Sequence, residues 1–386
     1  CSGRSTTMGR FKQRNGTSQS RMVDSREIQP AELTALSTGA WILGAGGGGS
    51  PYYSYLNMRE MYKAGKRVTL IDPMTLGDDD LVAVVSSMGA PLVGQERLRD
   101  PDFAAKPVRM MEEFLGRKFN AVMSLEIGGG NALQPLMVAA VTGLPVVDAD
   151  SMGRAFPEAQ MTSFAIGDLQ MFPLCLADIR DNETIVARAA SWKWMERISR
   201  KICTEVGSVA STCKAPRSGK EVKDWGILYT TTRAIDLGHA VEAARAAHED
   251  PVAAALDQEG GILLFRGKIT DIDRRATEGF LRGSAAIDGL DEDADHEFRL
   301  EFQNEFIIGL LDGKPAATVP EIICVMDTLS GEAIGTETLR YGQRVSVIAL
   351  PAASILTSER GLQNVGPRAF GYDMEFRSVF ADGAQT

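Results

Sequence analysis

The sequence predicts two domains: a three-layer α/β domain with a mostly parallel sheet, followed by a β-rich, barrel-like domain. Three observations lead there. The chain has 386 residues and an ordinary globular composition, 44% hydrophobic and 24% charged, which is more than one hydrophobic core usually organises. Residues 24–190 alternate β-branched apolar runs with glycine turns and helix starts, the pattern of a parallel sheet layered by helices. From Gly260 onward, short strands and turns recur at a spacing of roughly ten residues, as in an antiparallel barrel or sandwich.

The elements follow in order. Residues 1–23 carry five basic residues, no acid and no apolar h-region, so they are not a secretory signal. They are expected to form a disordered tail. Met22-Val23-Asp24 reads as a natural beginning, which leaves the native status of residues 1–21 open. Pro30 starts a helix, and Ser50-Pro51 starts a second one that closes at Ala64-Gly65. Residues 67–72 and 80–87 read as strands, 107–115 as a helix and 119–126 as a strand. A helix through Val141 and a strand over 144–147 complete the repeating pattern. Residues 192–206 are a connecting helix at the boundary between residues 24–190 and 191–386, with further helix near 232–256. The strands expected beyond are 261–270, 279–287, 296–310, 321–326 and 344–350.

Charge and residue usage narrow the function. With 41 Lys+Arg against 51 Asp+Glu, the chain lacks the basic excess that nucleic acid or an acidic membrane surface requires. The five cysteines form no CxxC pair and read as reduced thiols, so a cytoplasmic location is expected. Three histidines without an HExxH leave any metal site to carboxylates. No apolar run reaches membrane-spanning length.

Chemistry concentrates at three glycine- or acid-rich turns. Gly44-Ala45-Gly46-Gly47-Gly48-Gly49 matches GxGxxG, with Asp72 after the next strand, but too few residues precede it to form the strand that a dinucleotide fingerprint needs. A tight packing turn is one alternative. The preferred reading is a cradle in which the N–H groups of Gly46, Gly47, Gly48 and Gly49, with the helix N-terminus at Ser50, face a substrate or oxyanion. Glu126 followed by Gly128, Gly129, Gly130 and Asn131 repeats the arrangement. Asp148 and Asp150 end the next strand, followed by Arg154 and Glu158. Ligands of open parallel sheets bind beyond the carboxyl ends of strands, so these groups are expected to converge.

Crowded carboxylates either raise one pKa and create a general base or take up a divalent cation. Asp148 and Asp150 are the expected ligands of such a zinc-like ion. A helix cap or a salt bridge is the plain alternative for each acid. His239 at a helix start is a further candidate. His248 and His296 read as solvated, and Cys175 as a buried small side chain. Arg340 and Arg368 suit a substrate carboxylate, or equally an interdomain ion pair. The acid runs at 78–80 and 291–295 lack calcium-ligand spacing and read as turns.

These residues carry a resemblance. GAGGGGSP (44–51), EIGGGN (126–131), GLPVVDADSMGRAFPE (143–158), Asn304-Glu305, LRYG (339–342) and GPRAFGY (366–372) are similar to motifs of the S-methyl thiohydantoin desulfurase family, from about Asp24 to Phe376. That family is often found beside hydantoinase/oxoprolinase proteins. The resemblance implies the same two-domain fold and chemistry on a five-membered cyclic thioamide, releasing sulfide or a thiol and leaving a hydantoin. It assigns no catalytic residues.

From the residues, a carboxylate of the Asp148/Asp150 pair is expected to activate water, directly or on the metal. Glu126, Glu158 and Asn131 complete the catalytic group. Arg154, His239 or Arg368 would anchor a substrate carboxylate. The expected partner is a small cyclic imide or thioamide, in a homo-oligomer. Two other readings stand beside this one: a non-catalytic partner of a hydantoinase/oxoprolinase enzyme, and an NAD-dependent enzyme.

Overall fold

The computed structural model describes residues 24–89, 100–277 and 279–381. The tail expected over 1–23 lies outside them. The N-terminal half runs β1 (Ser25–Glu27), α1 (Glu32–Leu43), α2 (Tyr52–Lys63), β2 (Thr69–Ile71), β3 (Leu81–Gly89), α3 (Pro101–Leu115), β4 (Ala121–Ser124) and α4 (Gln134–Thr142). Then come β5 (Val146–Val147), β6 (Ala149–Asp150), α5 (Ser163–Ile166), β7 (Leu174–Ala177), β8 (Glu183–Val186), α6 (Trp192–Glu205) and β9 (Val209–Ser218).

Eight of these strands form one mixed sheet in the order β1-β2-β5-β4-β3-β9-β7-β8. The central strands β2, β5, β4 and β3 are parallel, while β1 on one side and β9, β7 and β8 on the other are antiparallel. Local chemistry explains the element ends. Helix α3 begins at Pro101, earlier than Pro107, because the Asp100 side chain accepts from the Asp102 N–H at 2.9 Å and Pro101 occupies the first turn. It stops at Gly116, whose φ is 64°.

After β9 the chain forms α7 (Gly219–Trp225), β10 (Ile227–Leu228), α8 (Thr230–Ala247) and α9 (Pro251–Glu259). Helix α8 lies directly on α1. A Cβ at Gly39 would sit 1.8 Å from the Ala234 carbonyl oxygen, and one at Gly238 would sit 1.8 Å from that of Ala35. Glycine on both helices therefore allows the two backbones to touch. Strand β10 pairs with β6, Ile227 opposite Asp150, which delivers the start of α8 to the acid-rich turn.

The C-terminal sheet holds β11 (Ile262–Thr277), β12 (Phe280–Gly289), β13 (Glu297–Gln303), β14 (Glu305–Leu311), β15 (Lys314–Thr318), β16 (Ile322–Asp327) and β17 (Arg344–Leu350). It is antiparallel throughout, in the order β15-β14-β13-β12-β11-β17-β16, and curls as a half-barrel. The short α10 (Glu359–Val365) follows. Phe265 and Phe298, stacked with ring centroids 5.3 Å apart, lie in its core with Ile287 and Val347. The span 296–310 is two strands, not one: Asn304, at φ 59°, reverses the chain between β13 and β14.

Candidate active-site cleft

A cleft opens beside the carboxyl ends of β3 and β4. It takes Ser86 and Ser87 from the end of β3, Glu126 from the turn after β4, and Lys214 from β9. Asn304 and Glu305 reach it from the C-terminal sheet, Glu196 and Arg200 from α6, and Gly48 and Gly49 from the first glycine loop. Of the expected acids, Glu126 and Glu158 are brought together here with Asn131.

Glu126 is 6% exposed. Its Oε1 accepts from the Asn131 amide, and its Oε2 from the Phe156 N–H at 3.1 Å. The Ser87 N–H donates to Asn131 Oδ1 at 2.8 Å, which turns the Asn131 amino group toward the carboxylate. Burial pushes the Glu126 carboxyl up to about 7, with the Asp150 charge adding to the rise and the two donors opposing it. Lys214 is 7% exposed. Burial pulls its amine down to about 8, although Glu196 favours the cation. The sequence carries no local signal for Lys214, because β9 reads there as a polar Ser/Thr-containing stretch.

Three of the remaining lining charges, Arg200, Glu196 and Glu158, are tied down. Arg200 pairs with Glu196 and donates to the Pro157 carbonyl at 2.9 Å. Glu196 also accepts from the Ala159 N–H at 3.1 Å. Glu158 accepts from Gln160, and from Gln303 at 3.4 Å. Glu305, 3% exposed, keeps Oε2 without a hydrogen-bond partner.

The other expected site residues lie elsewhere. Asp148 is fully buried, and its carboxylate accepts from the Thr231 N–H at 2.8 Å, the Thr232 N–H at 3.1 Å and the Thr232 hydroxyl. It holds the start of α8, the helix-cap alternative. Asp150 stands behind the cleft wall. Its Oδ2 gathers the N–H groups of Ile127, Met152 and Gly153 at 2.9, 3.1 and 2.7 Å, so it anchors the residue next to Glu126. Burial raises its carboxyl to about 7, opposed by these N–H donors. Arg154 is buried and donates to the carbonyls of Ala155, Phe306 and Glu321. It joins the domains and does not line the cleft. His239 is on the exposed side of α8, and exposed Arg368 pairs with Glu375 at 2.9 Å. Ser50 and Arg340 line a second, open pocket beside Trp41.

The glycine runs serve mainly for close packing. A Cβ on Gly48 would stand 2.4 Å from the Gly128 carbonyl oxygen, and one on Gly129 would stand 2.4 Å from that of Gly49. The Gly130 N–H donates to the Gly49 carbonyl at 2.8 Å, so that donor is already used. The Cβ positions of Gly46 and Gly47 are filled by Phe306 and Glu305. The run leaves helix α1 directly, with no strand feeding it, so it lacks the strand–turn–helix form that NAD binding needs. The residues also do not fit the zinc-like ion expected at Asp148 and Asp150. Both acids give oxygens to N–H donors, and among the described residues no group of three or more His, Cys, Asp or Glu could hold a metal ion.

Fold and cleft together define an α/β protein with an antiparallel half-barrel and a buried carboxyl–amine site between them. Family models described as S-Me-THD-like match it in two parts, the N-terminal domain over residues 31–188 and the C-terminal domain over 190–379. The chain belongs to the S-Me-THD-like family, which is consistent with a thiohydantoin-related function. A crystal structure of a protein from Chromobacterium violaceum is similar in fold, with a TM-score of 0.76 and 24% identity over 91% of this chain and 99% of that one. No curated protein matches the chain. Among the described residues no helix is long and apolar enough to cross a membrane.

Proposed function

We propose that the protein hydrolyses the carbon–sulfur bond at C2 of a thiohydantoin-type ring, releasing sulfide or a thiol and leaving a hydantoin. The observation that carries this reading is the placement of Glu126 and Lys214, both buried, in the wall of one cleft, with proton affinities shifted to about 7 and about 8. Membership of the S-Me-THD-like family supports a thiohydantoin-type ring as the substrate.

Glu126 takes a proton from water, and the oxygen adds to C2. A positioned base of this kind is typically worth about 10²–10⁴ in rate. The Lys214 ammonium lies opposite the negative charge that develops on the adduct. A preorganised donor in a site sheltered from water contributes about 3 kcal/mol to such a step. Asn131 aims the Glu126 carboxylate, and Asp150 fixes its backbone through Ile127. The catalytic carboxylate is therefore assigned to Glu126, not to the Asp148/Asp150 pair.

Incubation of the purified protein with a thiohydantoin tests this, read as sulfide or thiol release and loss of thiocarbonyl absorbance. Turnover by the protein alone is expected. Turnover appearing only after a hydantoinase is added would overturn the reading in favour of a partner role.

A further inference from the structure

Glu305 enters the cleft from the other domain through a gap made for it. The Gly47 backbone is not in the left-handed region, so a side chain there conflicts only with Glu305: its Cβ would lie 2.0 Å from Glu305 Oε1, and the carboxyl would have to move. The turn that carries Glu305 is fixed from three sides. The Leu281 N–H donates to Asn304 Oδ1 at 2.8 Å, the Thr336 hydroxyl donates to the Asn304 carbonyl at 2.6 Å, and the Phe306 N–H donates to the Ala45 carbonyl at 2.8 Å. Yet the carboxyl so carefully placed has an oxygen with no partner. The nearby Arg154 guanidinium gives its hydrogen bonds to main-chain carbonyls instead.

Two of the carboxyls that line the cleft, Glu126 and Glu305, thus sit in unlike surroundings. Glu126 receives two N–H donors, which favour its ionised form. Glu305 has burial and the Glu126 charge pushing its carboxyl well above the usual range, with Arg154 opposing. Paired groups whose environments separate them in this way divide into a base and an acid.

We propose that Glu305 is the catalytic acid that protonates the departing sulfur. The role rests on the reaction proposed above. Water oxygen bonds to C2 of the ring, and its proton passes to Glu126. The C2–N double-bond pair moves to the ring nitrogen, which takes that proton from Glu126. The C2–S bond then breaks with its electron pair on sulfur, and sulfur takes the Glu305 proton and leaves as a thiol, or as hydrogen sulfide where an unalkylated ring reacts as its C2=N, C2–SH tautomer. The hydroxyl on C2 becomes the carbonyl by returning its proton to Glu305. Both carboxyls end as they began, and no further reactant is consumed.

The test compares wild type, Glu305→Gln and Gly47→Ala on two S-substituted thiohydantoins, one releasing an alkyl thiol and one releasing a nitrothiophenol. The aryl thiolate departs without a proton. Glu305→Gln is expected to slow alkyl-thiol release by about 10²-fold or more while changing aryl-thiol release by less than about 5-fold. Gly47→Ala, which displaces the carboxyl, should show the same bias. Equal losses on both substrates, or no loss on either, in Glu305→Gln that retains the wild-type melting profile would overturn the role. Wild type inactive on both substrates would instead overturn the hydrolase reading, and this role with it.

Discussion

Replacing Lys214 by methionine keeps a side chain of similar length and removes the buried ammonium. The fall of the amine from 10.5 to about 8 corresponds to about 3 kcal/mol by which the folded protein disfavours the cation. That figure is already net of the attraction that Glu196 and Glu126 exert on the cation, and imperfect packing of the thioether in the place of the lysine takes part of the gain back. The variant should therefore be about 1–3 kcal/mol more stable than wild type at neutral pH. The pH dependence has a definite sign. From about pH 8 to 10.5 the unfolded chain holds the lysine proton that the folded protein has released, so wild-type stability rises with pH. The advantage of the variant is then full below about pH 8 and shrinks toward 10.5. Urea denaturation at neutral and alkaline pH measures it, and turnover in the same preparation should fall by about 10²-fold. A variant less stable than wild type at neutral pH would refute the reasoning.

Glu126→Gln should lower kcat by about 10²–10⁴-fold with the fold intact, measured by thiol release and circular dichroism. The wild-type rate should rise as Glu126 loses its proton near 7 and fall as Lys214 loses its proton near 8, a narrow optimum visible in a pH–rate profile. Asp148→Ala strips three hydrogen bonds from the start of α8. It should cost about 2–4 kcal/mol in denaturant titrations, with turnover per folded molecule unchanged. His239→Ala and Arg368→Ala, both away from the cleft, should leave kcat and KM within about twofold of wild type, checked by steady-state kinetics.

Much of the framework was legible because it depends on local signals. Proline and glycine mark the ends of α1 and α2, and a carboxylate before a glycine turn places Glu126 and Asn131 at a strand end. What the sequence could not show was which acid faces outward. Asp148 and Asp150 look equivalent, but the partners of Asp148 are Thr231 and Thr232, brought beside it by the β6–β10 pairing. The glycine runs suggested exposed N–H donors, whereas the two loops pack against each other. Lys214 was hidden because β9 carries buried polar groups in place of an apolar alternation. Ser211 accepts from Gln134 at 2.9 Å, and Thr212 lies 3.0 Å from Ser86, so hydrogen bonds across neighbouring elements make that strand compatible with the interior.

Arg154 sets a condition on how this architecture can be recombined. Its guanidinium lies 4.6 Å from the Phe156 ring centroid and is held by the carbonyls of Phe306 and Glu321, which belong to the other half. A chimera joined between 188 and 190, where the two family models meet, would have to inherit backbone shaped to receive that cation. Without it the graft would strand an ion in a dry interior, so the two halves are expected to be exchangeable between relatives only as matched pairs.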